Sequence, residues 1–219
     1  NEELKRCKED RVYWFNTYFK IHNPKIAADG DTTLSFILRP RQIELNDWWD
    51  ERARNQDTAV VIKSREEGAT WFLVGRAMHT WLFVPNSVYG LGSRKEELVD
   101  KRGDPDTLFA KFRFALERLP DWMIPKGFSY REHDKNLTII NPANAAVVKG
   151  EAGDNIGRGG RSTEYALDEA DFIPRLETVA RSVIENANCV ILISTVAGPG
   201  THLAAMEQVH PVFVMHWKD

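Results

Sequence analysis

Short apolar runs rich in β-branched residues recur along this chain, separated by segments of helical pattern. Thr58–Ile62 reads TAVVI, Val88–Leu91 and Thr163–Leu167 open two more runs, and Cys189–Ile193 is apolar throughout. Between them lie Thr70–Phe83, Asp106–Leu119 (stopped by Pro120) and Arg175–Asn186, each with the length and periodicity of a helix. Apolar runs too short for helices, each followed by a helix's length of chain, fit strands joined by crossover connections. This pattern predicts an α/β fold with a mostly parallel sheet flanked by helices.

The rest of the chain elaborates that frame. Leu4–Phe19 reads as one helix whose aromatic face (Tyr13, Trp14, Tyr18, Phe19) belongs in a core, and Arg41–Asn55 reads as a second. The Gly/Asp-rich stretch Ala28–Thr33 between them reads as a loop. Ser93 with Glu96 three residues on resembles a capping box opening a helix over Arg94–Lys101. Phe128–Arg131, Leu137–Ile140 and Ala145–Lys149 read as a small meander, followed by a glycine-rich loop at Gly150–Arg161. A short helix at His202–Val209 and a strand at Val212–Trp217 close the chain. The expected division is an N-terminal helical segment over 1–57 and an α/β core over 58–219.

Composition removes several classes of function. With 219 residues, 42% of them hydrophobic, the chain can bury a core without staples. Cys7 and Cys189 lie far apart, with no CxxC pair, and the six histidines have neither HxH nor HExxH spacing. A disulfide framework or a zinc site is therefore not expected, and a reduced, cytosolic setting is. No apolar run is long enough to span a bilayer. The net charge of −3 means that any contact with nucleic acid must be a local patch. Basic residues within Arg94–Arg118 are candidates for it, with a solvated helix face as the competing reading.

Chemistry concentrates after the first strand. Lys63-Ser64-Arg65-Glu66-Glu67-Gly68-Ala69-Thr70 stands between a strand and a helix, the setting of a phosphate-binding loop. Gly68 and Thr70 match that motif. Lys63 replaces its first glycine, and Ala69 stands where the lysine usually does. Backbone N–H groups and the helix N-terminus still suit phosphates. A lysine stem from the first position can reach them, and Thr70 offers a hydroxyl for Mg²⁺. About a hundred residues on, the strand ending at Leu167 runs into Asp168-Glu169. Carboxylates at the carboxyl end of a parallel strand stand where α/β folds bind ligands. Asp168 is assigned to Mg²⁺ through water and Glu169 to the attacking water. Ser194 and Thr195 end the buried strand after it and are candidates for sensing the γ-phosphate.

Taken together these strings resemble the large terminase subunit of tailed double-stranded-DNA phages. The resemblance rests on Lys63, Gly68 and Thr70, on Gly153-Asp154-Asn155-Ile156-Gly157-Arg158-Gly159 before Leu167-Asp168-Glu169-Ala170, and on Ile193-Ser194-Thr195 before Gly198-Pro199-Gly200. It also includes Val88-Tyr89-Gly90-Leu91-Gly92-Ser93-Arg94 before Val99-Asp100-Lys101, and covers most of the chain from Arg39 on. It implies a P-loop NTPase core of the RecA-like, ASCE type that hydrolyses ATP with Mg²⁺ to drive viral DNA into a procapsid. Lys63, Gly68 and Thr70 match a Walker A loop with a displaced lysine. Asp168 and Glu169 match Walker B and the catalytic glutamate, and Ser194 with Thr195 the coupling motif.

Gln42 resembles the glutamine that reads adenine, and Arg65 lies within reach of the γ-phosphate in cis. Arg158, in its glycine-rich loop, is the candidate trans arginine finger, with Arg161 as its competitor. A bland alternative pairs Arg158 with Asp154 or Glu151 to order the loop. The implied partners are double-stranded DNA, a portal ring, a small terminase subunit and further copies in a ring when packaging, with a monomer expected in isolation. No membrane is implied, and the expected setting is the host cytoplasm. A complete large terminase also carries a nuclease domain, and no nuclease activity is expected from the residues up to Asp219. Two other readings stay open: a DEAD-type helicase ATPase, from the string Asp168-Glu169-Ala170-Asp171, and a degenerate P-loop scaffold that does not hydrolyse nucleotide.

Overall fold

A computed structural model describes residues 2–195 and 198–216, with side chains omitted at 27–29. The N-terminal segment predicted as one helix is two, α1 (Glu2–Glu9) and α2 (Arg11–Tyr18). Asp10 breaks it: its backbone is extended, and its side chain accepts a hydrogen bond from the Tyr13 N–H as an N-cap. Two short strands that the sequence reading missed flank the predicted loop, and β1 (Lys20–His22) pairs with β2 (Thr33–Ser35) in a small antiparallel ribbon. Then come α3 (Pro40–Asn55), β3 (Thr58–Lys63), α4 (Ala69–Phe83), β4 (Val88–Ser93) and the short α5 (Glu96–Val99). Following these are α6 (Leu108–Leu116), α7 (Tyr130–His133), β5 (Asp134–Lys135), β6 (Thr138–Ile140) and β7 (Val147–Ala152). The chain goes on through β8 (Ser162–Asp168), α8 (Leu176–Asn186), β9 (Ala187–Ser194), α9 (His202–Met206) and β10 (Val212–Met215).

Three predicted features differ. Ser93 caps nothing: β4 runs through it, because the parallel pairing with β7 continues to Ser93↔Ala152. Half of a box lies instead at the start of α3, where the Gln42 carboxamide accepts from the Arg39 N–H. Phe128–Arg131 is not a strand; a helical turn, α7, leads into β5, and the meander is built from β5, β6 and β7. The glycine-rich loop begins only after β7 ends at Ala152. Trp217, placed in the last strand, lies outside the described residues.

The main sheet has the order β10-β3-β9-β8-β4-β7-β6-β5. The first six strands are parallel, and β6 and β5 are antiparallel additions at one edge. Alternation along the central strands builds two cores, since successive side chains point to opposite faces. Ala59, Val61, Ile191 and Ile193 join α2, α3, α4 and α6 on one face. Val60, Val190 and Leu192 join α8 and α9 on the other. Residues before Thr58 share the first core, with Trp14, Phe15, Leu45 and Trp49 in the same cluster as Phe72 and Ala77. A buried ionic chain lies beneath the sheet there. Arg76, 1% exposed, reaches Asp50 at 2.7 Å and Glu164 at 3.3 Å, and Trp49 Nε1 donates to Glu164 at 3.0 Å. Breaking one member of such a set leaves an uncompensated buried charge.

Candidate active site

β9 lies between β3 and β8, so Lys63, Asp168 and Ser194 stand at the carboxyl ends of three adjacent parallel strands. Ligands of open α/β sheets bind in that crevice. A cavity of about 450 Å³ opens there, walled by Lys63, Glu66, Glu67, Gly68, Ala69, Thr70 and Trp71 on one side. Asp168 and Glu169 form its floor at the end of β8, and Ser93, Arg94, Leu98, Asp106, Leu108 and Lys111 complete its lining. Volumes of this order suit small-molecule ligands.

The loop itself is held from behind. Gly68, the N-cap of α4, has φ +69, a left-handed conformation that favours glycine. A Cβ there would stand 3.2 Å from both Gln42 Nε2 and the Phe36 ring. Gln42 is 2% exposed. Its Nε2 donates to the Glu67 carbonyl at 2.9 Å, and its Oε1 accepts from the Arg39 N–H at 2.9 Å. Its carboxamide is thus turned on the loop, and Gln42 is absent from the cavity wall. Arg39, which sequence reasoning passed over, binds both the Glu67 carbonyl at 2.9 Å and the Glu67 carboxylate at 2.6 Å. Ser64 N–H donates to the Met215 carbonyl at 2.9 Å, fixing the loop's start against β10. Glu66 pairs with Lys25 at 2.7 Å, with both side chains more than 70% exposed, and such a pair contributes little. Arg65 is exposed and outside the cavity wall.

The loop and the acidic strand meet directly. Thr70 Oγ1 donates to Asp168 Oδ2 at 3.0 Å. Burial raises the Asp168 carboxyl above its ordinary value of 3.8, against the opposing pull of the Lys63 ammonium and the Thr70 hydrogen bond. Glu169 follows in a left-handed conformation, φ 57, costly for a side chain of this size. That turn aims the residue after a strand into the cavity, which Glu169 lines. Two hard oxygens at the base of a helix N-terminus fit a magnesium ion, which takes few protein ligands and keeps waters and phosphate oxygens. Among the described residues no group of three or more acidic, histidine or cysteine side chains could hold a metal without such help.

Ser194 is fully buried and does not line the cavity. Its hydroxyl accepts from the Asp171 N–H at 3.2 Å and donates to the Thr195 carbonyl at 2.8 Å, tying the turn after Asp168-Glu169 to β9. Arg158 is exposed and lies outside the cavity wall, as does Arg161. Neither carboxylate of the bland alternative serves Arg158. Asp154 pairs with Arg175. Glu151 accepts from the Gly157 N–H at 2.5 Å, the Gly159 N–H at 3.1 Å and the Tyr165 hydroxyl at 2.8 Å. Glu151 therefore orders the loop through its backbone. Lys111, buried in the cavity wall, is a functional candidate that sequence reasoning left among surface basic residues.

No protein-family model matches this sequence, and no curated protein does. Solved structures do match. The HK97 bacteriophage large terminase is similar at a TM-score of 0.66 and 17% identity, over 95% of this chain and 43% of that one. The large terminase of a thermophilic bacteriophage, in complex with ADP, gives 0.57 and 13%, over 82% of this chain and 45% of that one. The large terminase ATPase domain of Thermus phage P74-26 gives 0.52 and 14%, over 90% of this chain and 85% of that one. This chain thus spans less than half the length of the first two and most of the third. No helix among the described residues is long and apolar enough to cross a membrane. The chain has the α/β P-loop fold of the ATPase domain of phage large terminases.

Proposed function

We propose that this chain is the ATP-hydrolysing domain of a viral DNA-packaging motor. The observation that carries the proposal is the Thr70–Asp168 hydrogen bond, which joins the phosphate loop to the acidic strand in one cavity with Lys63 and Glu169. Lys63 neutralises phosphate oxygens from the start of the loop, in place of the lysine that Ala69 lacks. The N–H groups of the first turn of α4 have no acceptor within the helix and face the same anion. Thr70 and Asp168 would hold Mg²⁺, which would supply electrostatic stabilisation of phosphate charge there. Glu169 accepts a proton from the water that attacks the γ-phosphorus, while the bond from that phosphorus to the β–γ bridging oxygen breaks. The Ser194 link to the Asp171 N–H gives a route by which rearrangement at Asp168-Glu169 is felt along β9 and at Thr195. Gln42 and Arg39 act on the nucleotide through the loop they hold.

The remaining roles belong to the assembled motor. Arg158, exposed and without a carboxylate partner at Asp154 or Glu151, suits a trans arginine finger delivered to a neighbour's phosphate. The partners that follow are double-stranded DNA, a portal ring, a small terminase subunit and further copies of this chain, in the host cytoplasm. Titration of the chain with ATP-γ-S, with and without Mg²⁺, tests the nucleotide site. Saturable binding that Mg²⁺ tightens and Lys63→Ala weakens by about tenfold or more is expected for a lost charged phosphate contact. Binding indifferent to both Mg²⁺ and Lys63 would remove the proposal's basis.

A further inference from the structure

The lining of this cavity includes a buried cation. Lys111, on α6, has its side chain only 8% exposed. Its ammonium donates to the Asp106 backbone carbonyl and reaches the Asp106 carboxylate at 3.2 Å. That carboxylate is 83% exposed, so solvent screens most of its charge. The Nζ also stands 5.5 Å from the centre of the Trp71 ring, on the first turn of α4. A buried ammonium with one carbonyl, one screened carboxylate and an aromatic face is under-neutralised, and burial lowers its proton affinity accordingly. It also feels the negative charge of Asp168 across the cavity. A buried cation of this kind suits a site whose anion arrives from outside.

Building on the nucleotide reading above, we propose that Lys111 is a second phosphate-binding lysine of this cavity, contacting the terminal phosphate of a nucleoside triphosphate alongside Lys63. The cavity calls for such a group. Ala69 removes the lysine of the usual loop, and the floor carries the carboxylates of Asp168 and Glu169, which repel a triphosphate. Arg94 shares the wall but is exposed, whereas Lys111 is already dehydrated and loses little solvation on meeting phosphate. The Lys111–Asp106 contact also anchors to α6 the end of the segment that carries Lys101, Arg102 and Asp104. Transfer of the ammonium from Asp106 to phosphate loosens one anchor of that segment, so the presence of a γ-phosphate is communicated to a basic surface loop.

The test compares affinities for ATP-γ-S and ADP, both with Mg²⁺, in the parent chain and in Lys111→Met, which keeps the stem against Trp71 and removes the charge. A charge-assisted contact to the terminal phosphate predicts a loss of about tenfold to a hundredfold for ATP-γ-S and less than about twofold for ADP. Lys111→Arg should recover part of the loss. Equal losses for both nucleotides, or no loss, would overturn the assignment, because a structural lysine does not distinguish them. Lys111→Gln is the second neutral variant should the methionine variant fold poorly. If the parent binds neither nucleotide, the nucleotide reading fails and this inference with it. If the parent binds both and only the variant's selectivity is unchanged, this inference alone fails.

Discussion

Replacing Gly68 by alanine probes whether the loop between β3 and α4 is held as described. Two costs follow from the structure. The residue sits at φ +69, where a side chain costs about 1–2 kcal/mol. The new Cβ would also stand 3.2 Å from Gln42 Nε2 and from Phe36, so the carboxamide must give by a few tenths of an ångström and its bond to the Glu67 carbonyl is weakened. Weakening of that buried hydrogen bond and the contact together add up to about 1 kcal/mol. The total is up to about 3 kcal/mol, with weaker nucleotide binding because the loop's rear support is weakened. Gly103 is the control: it has φ +83, and a Cβ there would meet nothing within 4 Å. Gly103→Ala should therefore cost only the backbone share, about 1–2 kcal/mol, and leave nucleotide affinity alone. Urea unfolding of both variants, with ATP-γ-S titration of each, measures the difference. A Gly68→Ala protein no less stable than Gly103→Ala, with parental affinity, would refute the idea that Gln42 braces the loop.

Asp168→Asn should make the ligand-free chain more stable near neutral pH, because burial raises the folded-state carboxyl above 3.8 and the ionised form destabilises the fold. That gain should shrink as pH falls through the raised value toward 3.8, and stabilisation by Mg²⁺ with nucleotide should vanish in the variant; melting curves across pH read both. His79 is buried and held neutral, well below 6.5, with one ring nitrogen accepting from Arg11 and the other donating to the Cys7 carbonyl. The unfolded chain takes up the extra proton, so stability should fall as pH drops below about 6.5, with a shallower slope in His79→Gln. Arg158→Ala should turn over ATP at the parent monomer's rate and fail only in an assembled ring. Mixing it with Glu169→Gln, which keeps Arg158, should restore activity; no recovery at any ratio would place Arg158 outside trans catalysis.

The parallel core was legible because each central strand announces itself locally: TAVVI and Cys189–Ile193 are apolar, short and bounded by polar turns. The strand–loop–helix setting of residues 63–70 and the place of Asp168-Glu169 at a strand end were legible because spacing along the chain carries them. What escaped depends on partners far away in sequence. Arg76 sits in an apolar helical stretch and is buried only because Asp50 and Glu164 reach it from other elements. Lys111 looks like one basic residue among many until α6 turns it toward the cavity. Ser93 has the right neighbours for a cap, yet pairing with β7 holds it in a strand. Asp10 broke a helix because its own side chain competes for a backbone donor, a signal present in the sequence but weaker than the aromatic periodicity around it.

Single-turnover hydrolysis of ATP with Mg²⁺ by the parent chain and by Glu169→Gln tests the central claim most directly, with binding measured in parallel. The substitution keeps the side chain's shape at the cavity floor and removes its basicity. The account predicts slow but measurable hydrolysis by the parent, with nucleotide affinity retained and the hydrolysis rate lowered by about 10²–10⁴-fold in the variant. Hydrolysis at the parental rate by Glu169→Gln, with metal and nucleotide bound, would contradict it.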